Sequence, residues 1–481
     1  MYEKFGQFID GKWQKSSSGE TYDVINPATE EIIGKASKAN SEDIQKALKS
    51  AEKGLKIWRD TSPWERAKII RKISELMREK VDVLSKWMTL EVGKPLTEGV
   101  GEVGGAADIF EWNSEETKRI YGETNQSRFP NTRIHVNYQP VGVVAALIPW
   151  NFPAILASRK ISTALAAGCS VIVKPDVITP GTVMELVDIC RESGVPPGVV
   201  NLLSGDPAQV SSELISSDII KKISITGSTR VGKLILKQAA EKVQRVTMEL
   251  SGHSPFIVFD DVDLNKVTDM AMTAKFRNNG QVCISPNRFY IHEKKKDEFA
   301  KLMIDKTKKL KIGNGLDNDT MLGPLTTKQR LDAVEKLVET TKKEGGKVLY
   351  GGKKPANFNK GYYFEPTIFD DVKDNFTIMK EEPFGPIVPI LTFKHFDEVI
   401  ERANNNDLGL CSYIYTTDLK KANKASEMME TGCVAVNTAA VAVAEAPFGG
   451  IKQTGYGREG GSMAIKDYLN IKYTHFGISY E

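Results

Sequence analysis

From Tyr138 onward, continuous apolar runs of strand length alternate with stretches whose apolar residues recur at helical spacing. Residues 141–148 read as a strand buried on both faces, and the run stops abruptly at Pro149-Trp150-Asn151-Phe152-Pro153. The pattern then predicts a helix over 154–167, a strand over 170–175, a helix over 182–193, a strand over 199–203, a further helix, and a strand over 222–226. Strand and helix taking turns marks a parallel α/β sheet, and ligands of such sheets bind at the carboxyl ends of the strands, where Asn151, Lys174 and Gly227 fall. After Ser251 a second α/β series follows, with strands over 255–259, 289–292 and 387–393 and helices from Leu264 and over 295–310, separated by a turn-rich middle. Earlier in the chain, helices open at Ser41-Glu42-Asp43 and Pro63-Trp64-Glu65, and strand-like residues flank a turn within 7–13. The last fifteen residues, 467–481, alternate apolar and polar positions as an edge strand in need of a partner does, and another subunit could supply that partner.

Composition narrows the class. A chain of 481 residues has room for two or more domains, and 41% hydrophobic with 26% charged residues is ordinary for a globular protein. The 65 basic and 62 acidic residues leave a net charge of +3, which argues against nucleic acid as a partner. Cys169, Cys190, Cys283, Cys411 and Cys433 are scattered without a CxxC pair, and no two of the five histidines stand at ligand spacing. Free thiols in a reducing compartment are expected, with no metal. With no apolar leader at the start and no run of membrane-spanning length, the chain reads as cytoplasmic, with no membrane partner.

Three segments carry candidate chemistry. Phe276-Arg277-Asn278-Asn279-Gly280-Gln281-Val282-Cys283 is a polar, glycine-bearing turn ending on a cysteine. It can deliver a thiolate nucleophile whose oxyanion is held by backbone N–H groups, or simply bury a small apolar side chain. Gly227-Ser228-Thr229-Arg230-Val231-Gly232-Lys233 matches a phosphate-binding P-loop for seven positions and fails at the eighth, where Leu234 replaces the Mg²⁺-binding hydroxyl. What remains is either a helix N-terminus able to bind a pyrophosphate or a plain strand-to-helix turn. Glu249, ahead of a glycine turn, is either a general base or a solvated charge at a helix end; Asn151, between Trp150 and Phe152, is either a fixed amide donor or a local turn residue.

Taken together, these segments resemble the aldehyde dehydrogenase superfamily over nearly the whole chain. The motifs, in order, are Pro149-Trp150-Asn151-Phe152-Pro153, Lys174-Pro175, Thr226-Gly227-Ser228-Thr229, Glu249-Leu250-Ser251-Gly252, Gly280-Gln281-Val282-Cys283, Glu381-Glu382-Pro383-Phe384-Gly385-Pro386 and Pro447-Phe448-Gly449-Gly450. The resemblance implies a Rossmann-type cofactor domain (1–120 and 140–250), an α/β catalytic domain (251–450) and a small β oligomerisation arm (121–139 and 465–481) in a homodimer or homotetramer. It implies that Cys283 attacks an aldehyde, that the Asn151 amide and the Cys283 N–H hold the oxyanion, and that hydride passes to a nicotinamide. Glu249 then activates the hydrolytic water, which favours release of a free acid over transfer to coenzyme A, with Lys160 and Glu459 as a proton-relay pair. Lys174 is expected at the adenosine ribose, Gly227 and Ser228 at the pyrophosphate, Glu382 and Phe384 at the nicotinamide riboside, and Ile148, Pro149, Trp150, Gly205 and Leu250 elsewhere along the cofactor.

Within the superfamily the chain looks most like succinate-semialdehyde dehydrogenases. Arg277, six residues before the cysteine, and Arg159, beside Lys160, are expected to clamp the distal carboxylate of an ω-acid aldehyde. The segments Met88-Thr89-Leu90-Glu91-Val92-Gly93-Lys94-Pro95-Leu96 and Lys118-Arg119-Ile120-Tyr121-Gly122 match the same subfamily. Two departures stand out. Ala442 and Val443 occupy the place of a carboxylate-binding serine, which keeps glutarate-type, sulfonated and neutral aldehydes open as substrates. Val177 replaces a glutamate that binds both ribose hydroxyls in NAD-selective members, which tilts the expectation slightly towards NADP⁺ over NAD⁺, although Asp176 stands beside it.

Overall fold

The computed structural model describes residues 2–477; positions 478–481 of the expected C-terminal strand lie outside the described residues. Two seven-stranded sheets organise the chain. In the first, Arg245–Glu249, Ile220–Thr226, Val143–Leu147, Ser170–Lys174 and Val200–Leu202 lie side by side and parallel, and the hairpin of Gln7–Ile9 and Lys12–Gln14 extends the sheet antiparallel. The chain's first parallel strand, Val143–Leu147, therefore neighbours its fourth, Ile220–Thr226, and the winding runs outward from them in opposite directions. The connections after these two strands leave on opposite sides and open a crevice at their carboxyl ends. Every residue of Val143–Leu147 is buried, and so is every residue but Ile155 of the helix Pro153–Ala167 that follows, which explains why the sequence shows unbroken apolar runs there.

In the second sheet, Thr367–Asp370, Ile387–Phe393, Pro286–His292, Ser254–Val258, Cys411–Tyr415 and Cys433–Val436 are parallel, and Lys347–Tyr350 closes one edge antiparallel. The stretch that reads as turn-rich holds the helix Lys328–Lys343 and two strands of this sheet, its edge strand Lys347–Tyr350 and the neighbouring Thr367–Asp370. Its glycines mark the connections between short elements, which the pattern does not separate. Elements read from the sequence elsewhere differ by a few residues at their ends, as with Pro180–Glu192 for the helix read over 182–193, while the helices Phe396–Asn404 and Leu419–Met428 and the strands Cys411–Tyr415 and Cys433–Val436 were not read.

A third, three-stranded sheet joins Glu123–Gln126, Thr132–Pro140 and Leu469–Gly477. The C-terminal strand thus finds its partner in its own chain, pairing antiparallel with Thr132–Pro140 along its whole length. Its second edge is unpaired among the described residues, and the side chains of Ile471, Tyr473 and Phe476 on this strand are exposed. Among the described residues, no helix is long and apolar enough to cross a membrane.

Candidate active site

The crevice at the strand switch carries two adjoining cavities that share Pro149, Trp150, Thr226, Gly227 and Ser228. One, of about 220 Å³, is lined by Asn151, Leu250, Ser251, Cys283, Arg330, Glu382 and Phe384. The other, of about 430 Å³, runs past Ile148, Lys174 and Asp176 to Ser211, Ser212 and Gln238. Most of the residues expected at a dinucleotide are therefore brought together. Gly205 is the exception: it is buried where an added Cβ would sit 2.9 Å from the Ala39 backbone nitrogen, off both cavity walls. The close approach of the Ala39 loop backbone leaves no room for a side chain at that glycine.

The nucleophile loop is wound by its own sequence. Asn278, Asn279 and Gly280 take φ of 48°, 55° and 73°, a left-handed run that asparagine and glycine tolerate. A Cβ on Gly280 would stand 2.3 Å from the Gly385 carbonyl oxygen, so the Glu382–Phe384 segment packs directly on this loop. Phe384 itself has φ 44°, unusual for a bulky residue, and meets Trp150 edge to face at 5.5 Å. The Asn151 side-chain amide donates to the Gln281 carbonyl at 3.0 Å, leaving its second N–H without a protein acceptor. The Cys283 N–H likewise makes no hydrogen bond within the described protein. Two free donors beside one thiol are what an oxyanion site requires.

Glu249 ends the strand Arg245–Glu249, buried from Val246 onward, rather than a helix, and neither carboxylate oxygen has a hydrogen-bond partner among the described residues. Burial, reinforced by Glu459, holds its carboxyl well above the usual carboxylate range, against the pull of Lys160, Arg159 and Arg458. Lys160 donates to Glu459 Oε1 at 2.5 Å and to Thr226 Oγ1 at 2.6 Å, with both charged side chains almost completely buried. Burial also pushes the Cys283 thiol up to about 12, with Glu382 and Glu249 adding to the shift and Arg277 opposing it. Glu382 is itself raised to about 7 by burial, against hydrogen bonds from Ser251 and Gly252.

The two arginines differ in setting. Arg159 is 2% exposed, stacks on Phe448 at 4.8 Å and keeps Nη1 without a partner. Arg277 is exposed at the end of the helix Leu264–Phe276, stacks on Phe152 at 5.0 Å, and has no carboxylate within ion-pair distance among the described residues. Ala442 and Val443 lie exposed on the loop leading to Phe448.

The residues present fit a dinucleotide. Gly227 faces open space, so a ligand can approach its backbone, and Ser228 caps the helix Thr229–Ala240, whose N-terminus favours a phosphate. In the second cavity Gln238 Oε1 is buried without a partner, and Lys174 is buried with its pKa lowered by burial despite Asp176 and Asp206. Ser251 and Arg330 line the first cavity and escape sequence reasoning. Ser251 stands inside a quoted motif, whereas Arg330, near the start of a helix far along the chain, carries no local signal.

Because Cys283 is a neutral thiol near pH 7 in the ligand-free protein, its alkylation by iodoacetamide should rise about tenfold per pH unit from 7 upward. Above pH 7 Glu382 is ionised and disfavours the thiolate, so Glu382→Gln should speed alkylation a few-fold at pH 8.5 and little at pH 6. A slower or pH-independent gain would contradict this charge coupling.

A sequence profile described as "Aldehyde dehydrogenase family" matches residues 13–474. The chain is 42% identical over 466 residues to a glutarate-semialdehyde dehydrogenase of Pseudomonas putida, covering 97% of this chain and 96% of that protein. It is also 42% identical over 470 residues to the succinate-semialdehyde dehydrogenase [NADP(+)] of Escherichia coli, covering 98% and 97%. The crystal structure of a succinate-semialdehyde dehydrogenase from Burkholderia pseudomallei superposes with a TM-score of 0.97 at 39% identity, covering 98% of each chain. With a cysteine lining the crevice at the strand switch and a profile match over almost its whole length, this chain belongs to the aldehyde dehydrogenase family.

Proposed function

We propose that the protein oxidises a short aldehyde with a distal anionic group to the free carboxylic acid, with succinate semialdehyde as the leading substrate. The observation that carries this reading is the pair of guanidinium groups without carboxylate partners, Arg277 beside Cys283 and the buried Arg159 beside Glu249. A buried guanidinium nitrogen without an acceptor is costly, and an anionic substrate end supplies the acceptor. The names of the two 42% identical relatives support a dicarboxylic semialdehyde and leave its chain length, four or five carbons, as the alternative. Loss of the serine hydroxyl at Ala442 and Val443 also leaves room for a sulfonated or a neutral short aldehyde.

In this reading the Cys283 thiolate adds to the aldehyde carbon, and the second Asn151 N–H and the Cys283 N–H hold the resulting oxyanion. When bound, NAD⁺ or NADP⁺ supplies the hydride acceptor. Ile148, Pro149, Trp150, Lys174, Gly227, Ser228, Leu250, Glu382 and Phe384 hold it. Glu249, once ionised, takes a proton from water that attacks the Cys283 thioester, and Lys160 and Glu459 pass charge to and from that buried carboxyl. The catalytic domain is assigned to 251–450 and the cofactor domain to 1–120 and 140–250; the arm, 121–139 and 465–481, is assigned to assembly of a homodimer or homotetramer. Both cofactors are accepted: Val177 offers no carboxylate against a 2′-phosphate, and Asp176, on the cavity wall, limits NADP⁺.

In an aldehyde panel assayed by reduced-cofactor absorbance, succinate semialdehyde should lead, and Arg159→Ala and Arg277→Ala should each raise its KM about tenfold or more while leaving butanal unaffected. Unaltered KM for the acid aldehyde would remove the clamp, and no turnover of any aldehyde would favour a non-catalytic protein that retains the fold. Glu249→Gln should show a burst of reduced cofactor followed by slow turnover; undiminished steady-state turnover would take Glu249 out of the mechanism. Asp176→Ser should raise kcat/KM with NADP⁺ relative to NAD⁺ by about tenfold, and an unchanged ratio would place cofactor choice elsewhere.

A further inference from the structure

Lys94, in the Val92-Gly93-Lys94-Pro95 turn, and Glu102, two turns into the helix Leu96–Glu116, have no part in the chemistry above, yet both are buried directly beneath the Asn151 turn. Their side chains are 0% and 1% exposed, and Lys94 Nζ donates to Glu102 Oε2 at 2.5 Å. The same Nζ donates to the Asn151 backbone carbonyl at 3.0 Å and lies 3.9 Å from the centre of the Phe152 ring. Glu102 Oε1 accepts from the Ala154 N–H at 2.9 Å and the Ile155 N–H at 3.3 Å, the first free donors of the helix Pro153–Ala167, which begins on a proline with no N–H. One ion pair thus holds both ends of the four-residue turn 151–154. Asn278 Nδ2 donates to the same Asn151 carbonyl at 2.9 Å, tying that grip to the nucleophile loop.

We propose that Lys94 and Glu102 are positioning residues that aim the Asn151 amide at the oxyanion, an inference that rests on Asn151 being an oxyanion donor. A buried ion pair is a poor device for stability alone, because apolar residues of similar volume would fill the space without desolvating two charges. It is a good device for orientation, since each charge here makes further hydrogen bonds to fixed backbone groups. The amide has a single N–H to offer, and displacement of such a group by about 1 Å can cost about a hundredfold in rate.

The test compares two reactions of Cys283 in the full-length enzyme. Alkylation by iodoacetamide needs the thiolate and forms no oxyanion. Acylation by p-nitrophenyl acetate adds the thiolate to the ester carbonyl, passes through a tetrahedral oxyanion and expels p-nitrophenolate. In Lys94→Met/Glu102→Gln, which keeps volume and the acceptor for Ala154, acylation should fall about ten- to a hundredfold with alkylation within about twofold of the parent. In an Asn151→Ala background the same pair should cost no further acylation, because the two act through that amide. If the double variant does not fold, Glu102→Gln alone should show the same selective loss, reduced in size. Undiminished acylation, a parallel fall in alkylation, or an additive loss in the Asn151→Ala background would each overturn the proposal. Failure of the parent enzyme to be acylated at Cys283 would instead overturn the nucleophile assignment itself.

Discussion

The hydrogen bond from the Asn151 amide to the Gln281 carbonyl joins the two halves of the site. Asn151 follows the carboxyl end of a strand in the first sheet, and Gln281 precedes the amino end of a strand in the second. A donor on one sheet and a nucleophile on the other are held together by this contact and by the bond from Asn278 Nδ2 to the Asn151 carbonyl. Around it, Gln281 Nε2 donates to the Asn278 carbonyl within the loop and its Oε1 accepts from the Thr326 N–H, so the loop that carries Cys283 is braced internally and tied to two neighbours. Gly280 allows the Gly385 backbone to pack against it as well.

Burial sets the electrostatics. Cys283, Glu249 and Glu382 all have their ionised forms disfavoured chiefly by desolvation, and each carboxylate adds to the pressure on the thiol. Desolvation therefore weighs against the thiolate of Cys283 and the carboxylate of Glu249 alike, and nearby positive charge opposes it. The cations are placed accordingly. Arg277 acts on the thiol, Arg159 and Lys160 act on Glu249, and the two arginines lie against Phe152 and Phe448, which orient a guanidinium without neutralising it. Lys94 and Glu102, by contrast, neutralise each other in a buried ion pair.

The parallel α/β core was legible because strands buried on both faces leave unbroken apolar runs, and because Pro153 and Gly168 punctuate the helix between two of them. The motifs around Asn151, Glu249 and Cys283 were legible as well, since each combines a polar residue with a glycine or proline that a local turn needs. Arg330 and the Lys94–Glu102 pair were not, because their meaning lies in what they touch: a cavity wall built by a helix at 328–343, and the backbone of a turn more than fifty residues away.

The sequence by itself determined the alternation of strands and helices from Tyr138 to the Cys283 loop and the turns marked by glycine and proline, which follow from periodicity and local conformational preference, while the chemistry of each motif came from its resemblance to a family. Tertiary structure alone decided that Val143–Leu147 lies beside Ile220–Thr226, that Glu249 is buried without a hydrogen-bond partner, and that the C-terminal strand pairs within its own chain. Those outcomes depend on desolvation and on pairing across hundreds of residues, where the free energy belongs to the assembled surroundings and not to the segment itself.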